Sequence, residues 1–177
     1  MLELILGGAR SGKSVYAEER AVALNKEVIY IATATPLDPE MEERIERHRK
    51  RRANVWQTVE EPTALADTLR RYATPERCIL VDCLTLWLSN ILFARDGTVQ
   101  EAIFEQERQA LIHVIRDLPG YLLMVSNEVG MGVVPLHQSA RRFVGEAGWL
   151  HQELGQVCDR VVFIISGIPQ VLKGASV

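Results

Sequence analysis

The chain has 177 residues, 47% of them hydrophobic and 24% charged, which suits a single globular α/β domain over residues 1–177 with a sizeable core. A formal net charge of −3 leaves no electrostatic footprint for nucleic acid, and no apolar run approaches the ~20 residues of a membrane helix. Cys78, Cys83 and Cys158 are odd in number and lack C-x-x-C spacing, and no signal-peptide pattern opens the chain; reduced thiols and a cytoplasmic location are expected, without a zinc site or a disulfide framework.

Taken in chain order, apolar strands alternate with helices. Leu2, Leu4, Ile5 and Leu6 form a short β-compatible run. A helix follows from Ser14 to Leu24, with Val15, Ala17, Ala21, Val22 and Leu24 apolar and Glu18, Glu19 and Arg20 charged. Val28–Ala32 is a second buried strand, and Asp38 with Pro39 starts a helix that runs to about Arg52. Val55–Val59 reads as a short strand, Ala64–Tyr72 as a helix opened by Pro62, and Cys78–Val81 as a strand ending at Asp82. Leu84–Phe93 and Glu101–Arg116 read as helices separated by a turn at Asp96 and Gly97. Tyr121–Val125 is a strand, Gln138–Val157 a helix that Gly145 and Gly148 are expected to interrupt, and Val161–Ile165 the last long strand. Fully apolar strands alternating with helices predict a mostly parallel sheet with helices on both faces.

Between the first strand and the first helix, Gly7, Gly8, Ala9, Arg10, Ser11, Gly12, Lys13 and Ser14 fit the phosphate-loop pattern, a glycine, four residues, then Gly-Lys-Ser. The glycines let the backbone turn tightly and approach a phosphate chain. The loop N–H groups form an anion nest at the positive end of the helix. Lys13 would reach the β/γ-phosphates and Ser14 would ligate an accompanying Mg²⁺. This combination predicts a P-loop NTPase-like, RecA-like fold that binds ATP or GTP at the carboxyl ends of its strands. The same rim receives Asp82, either a Mg²⁺ ligand or a helix cap, and Asn127 and Glu128, either site residues or ordinary loop chemistry.

The stretch from Asp38 to Glu60 carries acids early and bases late, which complements a helix dipole. Its bland reading is a solvated helix with a basic end. His48 lies inside that basic cluster, which disfavours imidazolium and leaves a neutral ring able to attack a phosphorus atom. His113 reads as a packed or surface histidine, and His137 and His151 are assigned no role. Trp56, Trp87 and Trp149 read as packing residues, and Arg141 and Arg142 as solvated surface.

Several landmarks together give a specific resemblance. GGARSGKS (Gly7–Ser14), YIATA (Tyr30–Ala34), the stretch from Met41 to Arg49, W-x-T-x-E (Trp56–Glu60), SNEVGMGVVP (Ser126–Pro135) and SGIPQVLK (Ser166–Lys173) resemble the bifunctional adenosylcobinamide kinase / adenosylcobinamide-phosphate guanylyltransferase family of cobalamin biosynthesis. The resemblance covers essentially the whole chain. It implies small-molecule substrates (adenosylcobinamide, adenosylcobinamide phosphate, ATP and GTP), Mg²⁺, a homotrimer, and a histidine, here His48, that carries GMP covalently. By the same resemblance Arg49, Lys50, Arg51 and Arg52, together with Ala32, Thr33, Ala34, Glu60 and Asp82, fall at nucleotide-contacting positions. In place of the Arg-Pro frequent in that family, Arg52 here precedes Ala53. Two other readings of the residues stay open: a phosphate-loop kinase without guanylyl transfer, and a nucleotide-gated binding module whose basic helix is a partner surface.

Overall fold

The computed structural model describes residues 1–35 and 56–175. The helix expected between Asp38 and Arg52 therefore lies outside the described residues. The elements are β1 (Leu2–Gly7), α1 (Lys13–Ala23), β2 (Glu27–Ala32), β3 (Gln57–Glu60), α2 (Leu65–Tyr72) and β4 (Arg77–Asp82). They continue with α3 (Leu84–Leu92), α4 (Glu101–Val114), β5 (Tyr121–Asn127), α5 (Gln138–Val157), β6 (Arg160–Ile165) and β7 (Ile168–Lys173). The strands form one sheet in the order β3-β2-β4-β5-β1-β6-β7. Every pairing is parallel except β6 with β7. One strand, β5, separates the phosphate-loop strand β1 from the strand that ends at Asp82, a RecA-like arrangement.

Period-2 alternation splits the strand side chains between two cores. Leu4, Ile29, Ile31, Val81, Leu122 and Met124 face the cluster built with α2, α3, α4 and α5. Ile5, Val28, Tyr30, Leu80, Leu123, Val125 and Ile164 face the other cluster, to which α1 brings Ala17 and Ala21. Helices thus cover both faces as expected, although among the described residues four lie on one face and α1 alone on the other.

Three expectations change. Gly145 and Gly148 do not interrupt α5, which runs unbroken from Gln138 to Val157. The chain adds an antiparallel edge strand, β7, through a tight turn at Ser166 and Gly167, both with positive φ (52° and 80°), as a two-residue hairpin turn requires. Trp149, expected to pack, is 60% exposed, whereas Trp87 is wholly buried. The Trp87 indole donates to the Thr63 carbonyl at 2.8 Å.

One polar group sits deep under α1. Glu3 lies on the same face of β1 as Ile5, two residues on, and is fully buried. Its Oε2 takes a bond from Arg20 Nε of α1 at 3.1 Å, and its Oε1 one from Arg160 Nε of β6 at 3.1 Å. The Tyr16 hydroxyl completes the cluster, 3.4 Å from Oε1 and 3.3 Å from an Arg160 nitrogen. Removing one member of such a group leaves buried charge uncompensated. Glu3→Ala should therefore cost about 3–5 kcal/mol by chemical denaturation; a loss below ~1 kcal/mol would mean that α1 is held by packing alone.

The cysteines are buried free thiols. Burial pushes Cys78 and Cys158 up to about 12 and Cys83 up to about 11, so none presents a thiolate near neutral pH. A colorimetric thiol reagent at pH 8 should modify none of them in the folded protein and all three after denaturation.

Candidate active site

The loop between β1 and α1 is curled by its own backbone and braced from both sides. Ser11 N–H donates to the Gly8 carbonyl at 3.2 Å, which closes the turn. The Gly7 carbonyl accepts from Glu128 N–H at 3.0 Å, and the Ser11 carbonyl accepts from Gly167 N–H at 2.8 Å. The loop is thereby fastened to the end of β5 and to the β6–β7 turn. The three glycines have different roles. Gly12 has φ +99°, and a Cβ there would lie 3.1 Å from Gly167 Cα. A Cβ on Gly7 would meet Ser11 Oγ at 2.5 Å and the Ile164 carbonyl at 2.7 Å, so packing demands that glycine. A Cβ on Gly8 meets nothing within 4 Å.

Lys13 opens α1 and is buried. Its ammonium donates to the Gly8 carbonyl at 3.0 Å, inside the curl of the loop. Ser14 follows in the first turn. Ser11 Oγ is buried without a hydrogen-bond partner. A helix N-terminus, a cation and an orphan hydroxyl around one concave turn make a site that fits phosphate.

The acidic side of the site is set by strand register. Ala32 pairs with Glu60 on one side and Asp82 on the other. Following the alternation of Tyr30 and Leu80, these three positions leave the sheet on the α1 face. The Tyr30 hydroxyl donates to Asp82 Oδ2 at 3.0 Å. Asp82 does not cap α3, whose N-cap is Cys83 with no side-chain cap bond. Thr33 is buried, and its hydroxyl donates to the Cys83 carbonyl at 2.7 Å while accepting from Cys83 N–H at 2.8 Å. Asn90 donates to the Thr33 carbonyl at 2.9 Å. Thr33 therefore staples β2 to β4, and Ala32 and Ala34 are positioned by that staple. Asn127 ends β5 on the α1 face with a buried Oδ1 that has no hydrogen-bond partner.

Among the described residues no group of three or more His, Cys, Asp or Glu could hold a metal ion. Ser14 and Asp82 supply one hydroxyl and one carboxylate, hard oxygen donors of the kind Mg²⁺ takes when phosphates and water fill its other positions. His48, Arg49, Lys50, Arg51 and Arg52 lie outside the described residues.

A second polar group, on the other face of the same rim, was not assembled from the sequence. Asn127 N–H donates to Thr85 Oγ1 at 2.7 Å, Thr85 Oγ1 lies 3.2 Å from Ser126 Oγ, and Ser126 Oγ lies 2.7 Å from His151 Nε2. His151 Nδ1 faces Glu128 Oε2 across 3.5 Å. Burial holds the His151 imidazole below its ordinary value, against an opposing pull from Glu128. His151 is thus neutral near pH 7. The sequence signal was slight, a lone histidine beside Leu150 within the Gln138–Val157 helix. Arg141 and Arg142, read as solvated surface, are engaged within the chain: Arg141 with the Pro135 and Leu136 carbonyls, Arg142 with Glu101 and Glu146.

The family profile described as cobinamide kinase / cobinamide phosphate guanyltransferase matches residues 3–172. The chain is 53% identical over 174 residues to the bifunctional adenosylcobalamin biosynthesis protein CobP of Pseudomonas aeruginosa, covering 98% of each chain. It is 37% identical over 182 residues to the bifunctional adenosylcobalamin biosynthesis protein CobU of Escherichia coli, covering 98% of this chain and all of the relative. Among solved structures it is similar to the flagellar accessory protein FlaH of Methanocaldococcus jannaschii, with a TM-score of 0.52 at 14% identity over 98% of this chain and 78% of the other. The last likeness concerns the fold alone.

The glycine geometry separates two variants. Gly7→Ala should lose about 1–3 kcal/mol of stability through overpacking against backbone and weaken ATP binding with it. Gly8→Ala should keep its stability within about 0.5 kcal/mol yet weaken ATP roughly tenfold or more, as expected if the open space its methyl enters is where phosphate binds. Thermal melts and calorimetric titration of both variants check this; undiminished ATP affinity in Gly8→Ala would remove the phosphates from that space.

Proposed function

The chain belongs to the cobinamide kinase / cobinamide phosphate guanyltransferase family, and we propose that its single domain performs both reactions with one set of rim residues and His48. The observation that carries this reading is the braced loop of Gly7–Ser14, with Lys13 inside it and Asp82 on the same face.

In the first half, the γ-phosphate of ATP or GTP passes to the hydroxyl of the aminopropanol arm of adenosylcobinamide. The loop N–H groups and Lys13 hold the phosphates and stabilise the charge that develops on them. Ser14 and Asp82 would hold Mg²⁺, which when bound neutralises phosphate charge. In the second half, the His48 imidazole attacks the α-phosphorus of GTP and pyrophosphate leaves. The phosphate of adenosylcobinamide phosphate then attacks that phosphorus, the bond to His48 breaks, and adenosylcobinamide-GDP is released. Two displacements replace one between poor nucleophiles. Arg49, Lys50, Arg51, Arg52, Glu60 and the Ala32–Ala34 segment are assigned to nucleotide contact. The family resemblance also supports a homotrimer, and the three free cysteines fit a reducing cytoplasm.

Intact mass after incubation with GTP and Mg²⁺, followed by peptide mapping at neutral pH, tests the covalent step. One GMP should appear on the peptide containing His48 and be absent from His48→Ala. That variant should still phosphorylate cobinamide at about the wild-type rate, since His48 has no part in the first half. Equal loss of both activities would make the role of His48 structural or shared.

A further inference from the structure

We propose that Glu128 accepts the proton of the acceptor hydroxyl in the phosphoryl-transfer half, and that His151 is the positioning residue that holds it there. The assignment rests on the functional reading above. Glu128 is the residue after β5, and its backbone N–H is bonded to the Gly7 carbonyl at 3.0 Å. The base of its side chain is therefore fixed to the first residue of the phosphate loop. The carboxylate is partly open, with a side-chain exposure of 20%.

What holds the carboxylate suits a base. Oε1 accepts from Gly130 N–H at 2.7 Å, and Oε2 faces His151 Nδ1 at 3.5 Å, beyond a hydrogen bond in this structure, where Nδ1 is buried without another partner. The chain behind His151 has a donor at one end and an acceptor at the other. Asn127 N–H can only donate, and an ionised Glu128 can only accept. If Thr85 donates to Ser126 and Ser126 to His151 Nε2, the imidazole proton lies on Nδ1, aimed at Glu128. This arrangement gives every hydroxyl hydrogen one acceptor. The amide bonded to Glu128 and the imidazole facing it are then both neutral. An adjacent Arg or Lys would also orient a carboxylate, but would lower its basicity.

The step balances without another reagent. The acceptor O–H bond breaks and its proton passes to Glu128 Oε2. The acceptor oxygen forms a bond to the γ-phosphorus, the bond from that phosphorus to the β-bridging oxygen breaks, and ADP or GDP leaves with the electron pair. The carboxylic acid then returns its proton to water.

The test uses the full chain, with cobinamide as the phosphoryl acceptor and GTP as donor, and with GMP attachment to His48 read separately by mass. Glu128→Gln keeps the shape and should lower kcat for phosphorylation roughly 100-fold or more, with both KM values within about threefold and GMP attachment unchanged. His151→Gln should lower kcat roughly tenfold, again without a change in KM. A merely structural role would move melting temperature, KM and GMP attachment together. A folded Glu128→Gln with kcat within about threefold of wild type overturns the assignment. If Glu128→Gln fails to fold, Glu128→Asp decides: a kcat loss of roughly tenfold or more supports the role, and a smaller one overturns it. A wild-type chain that does not phosphorylate cobinamide instead overturns the functional reading, and this assignment with it.

Discussion

The geometry of the site depends on a carboxylate at the opposite end of the sheet. Glu3 is wholly buried on the α1 face and bonded to Arg20, Tyr16 and Arg160. Two of those partners belong to α1 and the third to β6. The helix that begins at Lys13 therefore cannot slide along β1 without breaking charge-assisted bonds in a dry environment. A phosphate loop is a short connector whose shape follows the strand and helix it joins. Pinning both near Glu3 leaves the residues from Gly8 to Gly12 little to decide, and two external bonds, from Glu128 and Gly167, set what remains.

The β6–β7 hairpin acquires a purpose from the same constraint. Its turn at Ser166 and Gly167 donates to Ser11, and Gly12 leaves too little space beside Gly167 for a side chain. The edge strand thus braces the loop from the side opposite Glu128. In sequence the strand was concealed. Ile168–Lys173 includes Pro169 and is exposed along most of its length, so it shows neither the apolar run of a central parallel strand nor clean alternation. The Ser-Gly pair between apolar residues was its only local trace.

The parallel core and the loop were legible because each has a short-range signature. Cys78–Val81 and Tyr121–Val125 are continuous apolar runs, and Gly7–Ser14 is a complete motif. Gly145 and Gly148 misled in the opposite direction: a Cβ at either would meet nothing within 4 Å, so neither marks a turn, and the packing of Ala147, Leu150 and Leu154 carries the helix through them. Thr33 was placed by resemblance as a nucleotide position, while its staple to Cys83 spans 50 residues of sequence. His151 was lost for the same reason. Its partners Ser126 and Glu128 lie on another element, and only the register of β5 against α5 brings them together.

The end of β5 explains why one rim can serve two chemistries. Successive residues of a strand point to opposite faces. Asn127 therefore leaves on the α1 side, with Lys13, Ser14 and Asp82, the residues proposed to hold the phosphates and their metal ion. Ser126 and Glu128 leave on the side of α3 and α5, where Thr85 and His151 meet them. Phosphate binding favours positive charge, whereas a proton acceptor keeps its basicity only away from it. A strand that ends beside the loop separates the two requirements by one residue. The same backbone bond from Glu128 N–H to Gly7 O keeps both faces in fixed relation to the phosphate loop.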